Sequence, residues 1–181
     1  MKKLAFFSSL LVTLMVVLGA CSKDDTPSPG SEQRAFDVVF SGVNVNAGYQ
    51  NVTPPSQTKQ MADVLSSTNK DKASYVKGAE TRTNSCYIAI QELATVSSLE
   101  KVTINLMDGQ KVAHTYNVSL TAVIGDSGGK DDTASCITFL GNVANYLASK
   151  KNITLQVILN GGDTNVSNLQ ITVHIEAIFS W

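Results

Sequence analysis

The sequence has few of the side chains on which most enzymes and metal sites depend. Its 181 residues include only two histidines and three cysteines, and no HExxH, CxxC or DxDxDG spacing occurs. We therefore predict no zinc or EF-hand site and expect no cofactor. Basic residues are scattered and the formal net charge is −1, so we expect no nucleic-acid partner.

Long apolar runs are also absent, except at the amino terminus. Residues 4–18 form an apolar stretch behind a Lys-Lys pair, which suits a secretion signal and falls short of the ~20 residues that span a bilayer. The stretch ends in Leu18-Gly19-Ala20-Cys21, which resembles the lipobox of bacterial lipoproteins. The resemblance implies a signal peptide over residues 1–20 and a diacylglycerol on the Cys21 thiol, so the membrane partner is reached through lipid alone. The alternative is an ordinary secreted protein in which a cysteine happens to follow the cleavage site.

The residues behind the cysteine suggest a destination. Ser22-Lys23-Asp24-Asp25 resembles the export signal of surface lipoproteins in the Bacteroidetes, which implies an outer-membrane lipoprotein, although an acidic stretch also suits a solvated spacer. Pro27, Pro29 and Gly30 extend this region, so we predict a flexible tether over residues 21–33. Residues 34–181 are then long enough for one domain with a sizeable core.

Strand signals dominate this domain. Apolar and polar residues alternate in six predicted strands, at residues 36–41, 86–90, 102–106, 111–124, 153–159 and 169–181. Their apolar faces are one-sided, which is typical of antiparallel sheets over a shared core. We therefore predict a mainly β protein, an antiparallel β-sandwich of six or seven strands.

One convincing helix interrupts the strands. Between residues 134 and 150 the apolar side chains recur at helical spacing, with Thr133 or Asp132 as the N-cap. Lys150 and Lys151 suit the negative end of the helix dipole. We expect this helix to cap an end of the sandwich or to cross between its sheets.

The Asp108-Gly109 pair predicts a hairpin. A three-residue loop over residues 107–109, with Gly109 in the left-handed region, pairs Leu106 with Gln110 and Ile104 with Val112. The apolar rows of the two strands then coincide, whereas a two-residue loop places them on opposite faces. We therefore predict the bulged three-residue loop.

Residues 44–83, hereafter the 44–83 segment, are the least regular part of the domain. We predict a helical turn over residues 60–65 and a short strand over residues 73–77. A connection this long is often functional or mobile. Tyr49 and Tyr75 are candidates for stacking on sugar rings, although single exposed tyrosines need no such explanation.

Two cysteines remain beside Cys21. Cys86 and Cys136 form a disulfide in one interpretation, since an exported protein meets an oxidising compartment. In the other they are two separate buried thiols that pack as small hydrophobic groups.

Few residues suggest catalysis. His114 falls on the apolar face of its strand and is expected at the core or its rim. His174 lies on a polar face near Glu176, with which it pairs or shares a metal unless both are simply exposed.

The loop at residues 125–132 carries two further signals. Residues 125–128 spell Gly-Asp-Ser-Gly, which resembles the nucleophile segment of chymotrypsin-like proteases over only four residues; a turn before the helix explains the same letters. Asp126, Asp131 and Asp132 suit either a calcium ion or a solvated turn.

Binding explains these features better than catalysis. Our first hypothesis is a lipid-anchored binding or assembly module of the outer membrane, whose partner is a glycan or an envelope protein. The alternatives are a small hydrolase that uses His114 or His174 with a carboxylate, and a pilin-like subunit of a surface fibre that accepts a donated strand.

Overall fold

The computed structural model of the protein describes residues 27–93, 95–124 and 129–181. Cys21 with its lipobox, residues 22–26 of the predicted tether and the Gly-Asp-Ser-Gly string lie outside these residues. Within the described part of the chain, no helix combines the length and hydropathy needed to cross a membrane.

The strands in chain order are β1 (Ser31–Val45), β2 (Gln57–Gln60), β3 (Gly78–Thr81), β4 (Tyr87–Gln91), β5 (Leu99–Asp108), β6 (Lys111–Asn117), β7 (Lys130–Asp131), β8 (Asn152–Gly161) and β9 (Val166–Ser180). The α-helices are α1 (Met61–Val64), α2 (Leu120–Ile124) and α3 (Ala134–Lys150), with short 3₁₀ helices at Lys70–Tyr75 and Val96–Ser98.

The strands form two antiparallel sheets, which confirms the predicted mainly β sandwich. Sheet A is five-stranded, in the order β1-β9-β4-β7 with β3 also paired to β9, and sheet B has the order β2-β8-β5-β6. The short strands β2, β3 and β7 raise the number in the described residues to nine, above the predicted six or seven. Alternate apolar side chains of both sheets form one buried core.

The ladder between β1 and β9 is the longest in the structure. It runs from the Ser31–Ser180 pair to the Val45–Val166 pair, with two bulges near its far end. Ser31, Glu32 and Gln33 therefore belong to a strand and not to the flexible tether in which we had placed them. Their backbone groups find partners on β9, which outweighs the weak strand preference of their side chains.

Helix α3 has the predicted bounds of residues 134–150. The Thr133 side chain caps its first turn by accepting from the Cys136 amide at 3.4 Å. The chain leaves the helix at Lys151, which adopts a left-handed conformation with φ of +68°. The helix packs against β3 of sheet A and against β6 and β8 of sheet B, so it crosses between the sheets.

The hairpin between β5 and β6 differs from the predicted one. Asp108 pairs with Lys111, so the loop has two residues, and Gly109 has the positive φ of +62° that the first position of a type II′ turn requires. The bulge lies within β6, between the Met107–Val112 and Leu106–His114 pairs. Ile104 therefore opposes the buried Tyr116, whereas Val112 pairs with Met107 on the other face and is exposed.

The predicted strand over residues 111–124 is too long. β6 ends at Asn117, and Leu120–Ile124 is helical. The carboxylate of Asp131 accepts from the Ser119 amide at 2.8 Å, which turns the chain away from the sheet direction. Alternate apolar residues after Asn117 had mimicked a continuing strand.

The 44–83 segment is mostly tied to the sandwich. Val52 bridges to Leu159, β2 pairs with the first residues of β8, and β3 pairs with the last residues of β9. Helix α1 confirms the predicted helical turn. The strand predicted over residues 73–77 is wrong: residues 73–75 end a 3₁₀ helix, residues 76–77 connect it to β3, and that strand begins at Gly78.

Candidate functional site

A polar cleft lies beside Glu176, between the stretch of β9 that pairs with β3 and the stretch that pairs with β4. Strands β3 and β4 pair with two separate stretches of β9, and the turn at residues 82–85 connects them. The Arg82 amide donates to the Glu176 carbonyl at 2.8 Å, and the Ser85 amide donates to the Arg82 carbonyl at 3.0 Å. This crossing leaves an open cleft of about 520 Å³, hereafter the cleft, lined by Gln33, Glu80, Thr81, Arg82, Thr83, Asn84, Ser85 and Glu176.

A hydrogen-bond network orients the side chains of the cleft. Gln33 donates through its amide nitrogen to a carboxylate oxygen of Glu176 and accepts from the Arg82 guanidinium at 3.2 Å. The bonds from Gln33 and Ser85, helped by the charges of His174 and Arg82, hold the pKa of Glu176 below its usual value. Glu176 is therefore an ionised acceptor at neutral pH.

Every residue that lines the cleft carries a hydrogen-bonding side chain. Apolar small molecules are usually held in pockets lined mainly by hydrophobic and aromatic groups, which this cleft lacks. Amides, hydroxyls, carboxylates and a guanidinium together offer both donors and acceptors. The arrangement suits a ligand that is itself rich in hydroxyl or amide groups.

A second row of polar side chains crosses the outer face of sheet A next to the cleft. Asp37 on β1 and Tyr87 on β4 both stand directly opposite His174 on β9. His174 Nδ1 lies 2.6 Å from Asp37 Oδ1, and its ring stacks on Tyr87 with centroids 4.7 Å apart. Lys130 Nζ lies 4.1 Å from the centroid of the Tyr87 ring.

The contacts within this row limit what the side chains of Tyr87 and His174 can bind. Because β4 lies between β9 and β7, His174 and Lys130 approach the Tyr87 ring from opposite sides, so neither face of the ring is free to stack on a sugar. His174 pairs with Asp37 and not with Glu176, as we had considered, because a directly opposite residue is closer than one two positions along the strand. Within the described ranges, no three His, Cys, Asp or Glu side chains gather as a metal site requires.

Two tyrosines that we considered for sugar stacking lie far apart. The Tyr49 carbonyl accepts from the Gly161 amide at the last residue of β8, whereas Tyr75 precedes Val76, whose carbonyl accepts from Lys151 beside the first residue of β8. The ten residues of β8 separate them by roughly 30 Å. Tyr49 is 61% exposed, but the pair cannot form one platform, and the 44–83 segment is not a single working surface.

Both candidate disulfide cysteines are free and buried. Cys86 lies beneath the cleft, where its thiol donates to the Glu176 carbonyl at 3.4 Å and accepts from the Glu176 amide at 3.3 Å. Burial raises the pKa of the Cys86 thiol, and burial together with the charge of Asp131 raises the pKa of Cys136 to about 12. The structure therefore has two inert thiols in place of the disulfide that we had considered.

Asp131 has a structural role. Its side chain is fully buried and accepts from the Tyr116 hydroxyl at 2.6 Å, from the Ser119 amide and from both the amide and the hydroxyl of Thr133. Both carboxylate oxygens are occupied by protein donors, so Asp131 does not suit calcium. Of the other two aspartates in that interpretation, Asp132 is exposed and Asp126 lies outside the described residues.

His114 is a rim residue. It stands opposite the buried Leu106 but is itself exposed, because β6 is an edge strand of sheet B. It lines an open groove of about 360 Å³ between β6 and α3.

No family model, curated protein or solved structure matches this chain.

Sequence reasoning missed most of the cleft. The sequence prediction places Gln33 in the tether, Glu80 and Arg82 in the irregular 44–83 segment, and Asn84 in no predicted element. The one available signal was the wholly polar run at residues 80–85 directly before a predicted strand. Nothing local indicates that this run crosses β9 beside Glu176.

Proposed function

We propose that this chain is a lipid-anchored binding module of the bacterial outer membrane, which holds a glycan in the cleft. The lipid anchor at Cys21 and the outer-membrane destination rest on the amino-terminal sequence. The glycan rests on one observation, the 520 Å³ cleft lined only by hydrogen-bonding side chains.

The preorganised network favours a glycan over other small ligands. Arg82, Gln33 and Glu176 are already linked, so little side-chain freedom is lost when a ligand binds. Sugar hydroxyls both donate and accept, which matches a cleft that offers donors and acceptors side by side. Stacking on an aromatic ring is not available at Tyr87, so hydrogen bonds have to supply the affinity.

An envelope protein is the less favoured partner. Protein interfaces depend on buried aromatic or aliphatic anchors that cluster near the centre of the contact. The large hydrophobic side chains that are exposed in the described residues are Val39, Tyr49 and Val112. They lie on β1, in the turn beside Gly161 and on β6, and so form no common patch.

The proposal is tested with the purified mature lipoprotein on a glycan array, followed by calorimetry with any glycan that binds. We expect Arg82→Ala and Glu176→Gln to weaken binding at least tenfold, because each removes a charged partner of the ligand. The matched control is Thr103→Ala, which removes a hydroxyl on the outer face of sheet B. Binding that survives both cleft substitutions, or an array without any bound glycan, overturns the proposal.

A hydrolase is favoured by one observation, the 2.6 Å contact between Asp37 and His174. A carboxylate that orients an imidazole is one part of a nucleophile-activating arrangement. In the described residues, however, no serine or cysteine hydrogen-bonds to His174, and the ring is covered by Tyr87. Unchanged hydrolysis of a panel of activated esters by His174→Ala eliminates this second candidate.

A strand-accepting fibre subunit is favoured by a groove of about 240 Å³ where the edge strands β1 and β2 meet, lined by Asp37, Val38, Val39, Gln57, Thr58 and Lys59. A donated strand needs alternating pockets for its apolar side chains. Val39 is the exposed apolar residue of this lining, so the groove suits such a strand poorly.

A further inference from the structure

The two ends of the sandwich carry opposite charge. The tether end is the end where the chain enters at Gly30, and it contains residues 30–34, 59–80, 108–111 and 150–153. The far end contains the turns at residues 44–52, 91–101 and 159–169. Backbone hydrogen bonds define both ends: Lys77 donates to Ser180 at the first, and Gly48 donates to Gly162 at the second.

The tether end is basic. The charges of two ion pairs at this end, Arg34–Glu32 and Lys72–Asp71, cancel each other. The remaining charged side chains are six lysines and three carboxylates (Asp63, Glu80 and Asp108), which gives a net charge of +3. The six are Lys59, Lys70, Lys77, Lys111, Lys150 and Lys151.

Four of these lysines are exposed, and no described carboxylate lies within ion-pair distance of them. They are Lys70, Lys77, Lys111 and Lys150, the last with its Nζ 5.7 Å from the centroid of the Tyr146 ring. Lys151, in contrast, donates to the backbone carbonyls of Val76 and Ala148 and holds the fold together.

The far end is acidic. Glu92, Glu100 and Asp163 outnumber the single basic residue Lys101, a net charge of −2. The charge therefore changes sign along the long axis of the domain, although the whole chain is nearly neutral. A negatively charged surface orients such a molecule with its tether end inwards.

The proposed lipid anchor at Cys21 keeps the tether end close to the membrane surface. Residues 22–30 connect Cys21 to the first hydrogen-bonded residue of the domain, Gly30, and even fully extended they span at most about 32 Å. A lysine near an anionic membrane surface contributes roughly 1 kcal/mol, and the attraction decays within about 10 Å at 0.1 M salt. The short tether holds the basic end near the headgroups, where this attraction acts.

We propose that the tether end is a docking surface for the anionic headgroups of the membrane that carries the anchor. Docking fixes the orientation of the domain, with the far end pointing away from the membrane and the cleft on its side. This inference rests on the lipid anchor of the proposed function, but it does not depend on the glycan.

The chain carries its own probe for this contact. Trp181 is the only tryptophan and lies at the tether end, hydrogen-bonded to Gly30. We would reconstitute the mature lipoprotein into phosphatidylcholine vesicles with or without 30 mol% phosphatidylglycerol, and measure energy transfer from Trp181 to a dansyl headgroup. Transfer should be at least twofold more efficient in the anionic vesicles, and the difference should vanish at 1 M salt.

Charge reversal locates the surface. The double variant Lys70→Glu/Lys77→Glu should lose the difference between the vesicles, whereas Lys101→Glu at the far end should keep it. Circular dichroism checks that both variants are folded. Equal transfer in the two vesicle types, or an equal loss with Lys101→Glu, overturns the proposal.

Failure of the anchor is detected separately. At 1 M salt the wild-type protein should float with both vesicle types and Cys21→Ser with neither. If the wild type does not float, the anchor is wrong. Flotation of the unanchored protein with anionic vesicles at low salt then tests the docking surface alone: failure to float with them overturns it.

Discussion

Gly30 and Trp181 close the longest ladder of the structure by hydrogen-bonding to each other twice. The Gly30 amide donates to the Trp181 carbonyl at 3.1 Å, and the Trp181 amide donates to the Gly30 carbonyl at 2.9 Å. The indole lies so near that a Cβ atom on residue 30 would be 2.9 Å from its Nε1. Glycine at this position therefore lets the indole cover the start of β1.

Replacing that glycine should loosen the tether end. We expect Gly30→Ala to lower the free energy of unfolding by about 1–2 kcal/mol, because the indole has to move. Urea unfolding followed by Trp181 fluorescence measures the change. Gly78→Ala is the matched control, since its Cβ would meet its nearest atom, Ser180 Oγ, at an ordinary 3.6 Å. Equal effects of the two substitutions contradict the expected crowding.

Asp131→Asn should be strongly destabilising. An amide nitrogen in place of one carboxylate oxygen faces donors such as the Tyr116 hydroxyl, which costs about 2–4 kcal/mol of unfolding free energy in a buried network. The neighbouring Asp132 is exposed, so Asp132→Asn should change stability by less than about 0.5 kcal/mol. Denaturant melts of the two variants give the comparison. A mild effect at Asp131 shows that its network is not needed for stability.

Acid should destabilise the domain partly through Glu32. Burial alone raises its pKa, but the hydrogen bonds from Ser66 and Asn69 and the charge of Arg34 outweigh burial and leave the pKa below the ordinary 4.5. Because the folded value is the lower one, the stabilisation is complete above about pH 4.5 and is lost as the pH falls through the folded pKa. Glu32→Gln should therefore show a shallower fall in urea midpoint between about pH 5 and pH 3.

Glu92→Gln is the control for that pH series, since it removes an exposed carboxylate at the far end. It should follow the wild-type curve. A Glu32 variant that also follows it shows that Ser66, Asn69 and Arg34 do not favour the ionised carboxylate in the fold.

Thiol titration tests the two cysteines and the anchor together. Native mature protein should not react with a disulfide reagent at pH 8, because the pKa values of buried Cys86 and Cys136 are raised. In guanidinium two thiols should react, since the proposed lipid would block the thiol of Cys21. No reacting thiol indicates a disulfide between Cys86 and Cys136, and three indicate that Cys21 carries no lipid.

Helix α3 was predictable because both of its ends are set locally. Thr133 supplies the N-cap, and the apolar spacing ends beside Lys150 and Lys151. The alternating strands were predictable for the same reason, since each buries one face whatever its partners are. The predicted number of strands was too low because β2, β3 and β7 are short strands whose pairing depends on β8, β9 and β4.

The hairpin shows where a local pattern stops being sufficient. Matching apolar rows required a bulge, and the sequence did not indicate whether it would lie in the turn or at Ala113 within β6. A bulge in the turn pairs Leu106 with Gln110, whereas the bulge at Ala113 pairs it with His114, four positions further along the chain. The observed register pairs Ile104 with the buried Tyr116 and leaves Val112 exposed, so matching of the whole apolar rows did not decide the register.

Apart from the polar run at residues 80–85, local patterns do not indicate the cleft. Gln33 and Glu176 are 143 positions apart, and Gln33 and Arg82 are 49 apart. Their meeting depends on the register of β1 on β9 and on the turn that crosses between β3 and β4. No pattern within a few residues encodes either of these.

The position of β9 in sheet A has a consequence for how the protein is made. β1, β3 and β4 all pair with β9, yet residues 166–180 leave the ribosome after all three. Sheet A cannot assemble until then, because loop closure between Ser31 and Ser180 has to wait for the last strand. A nascent chain that stays unfolded during synthesis is the form that a secretion channel can thread, so the late synthesis of β9 is compatible with the export that we propose.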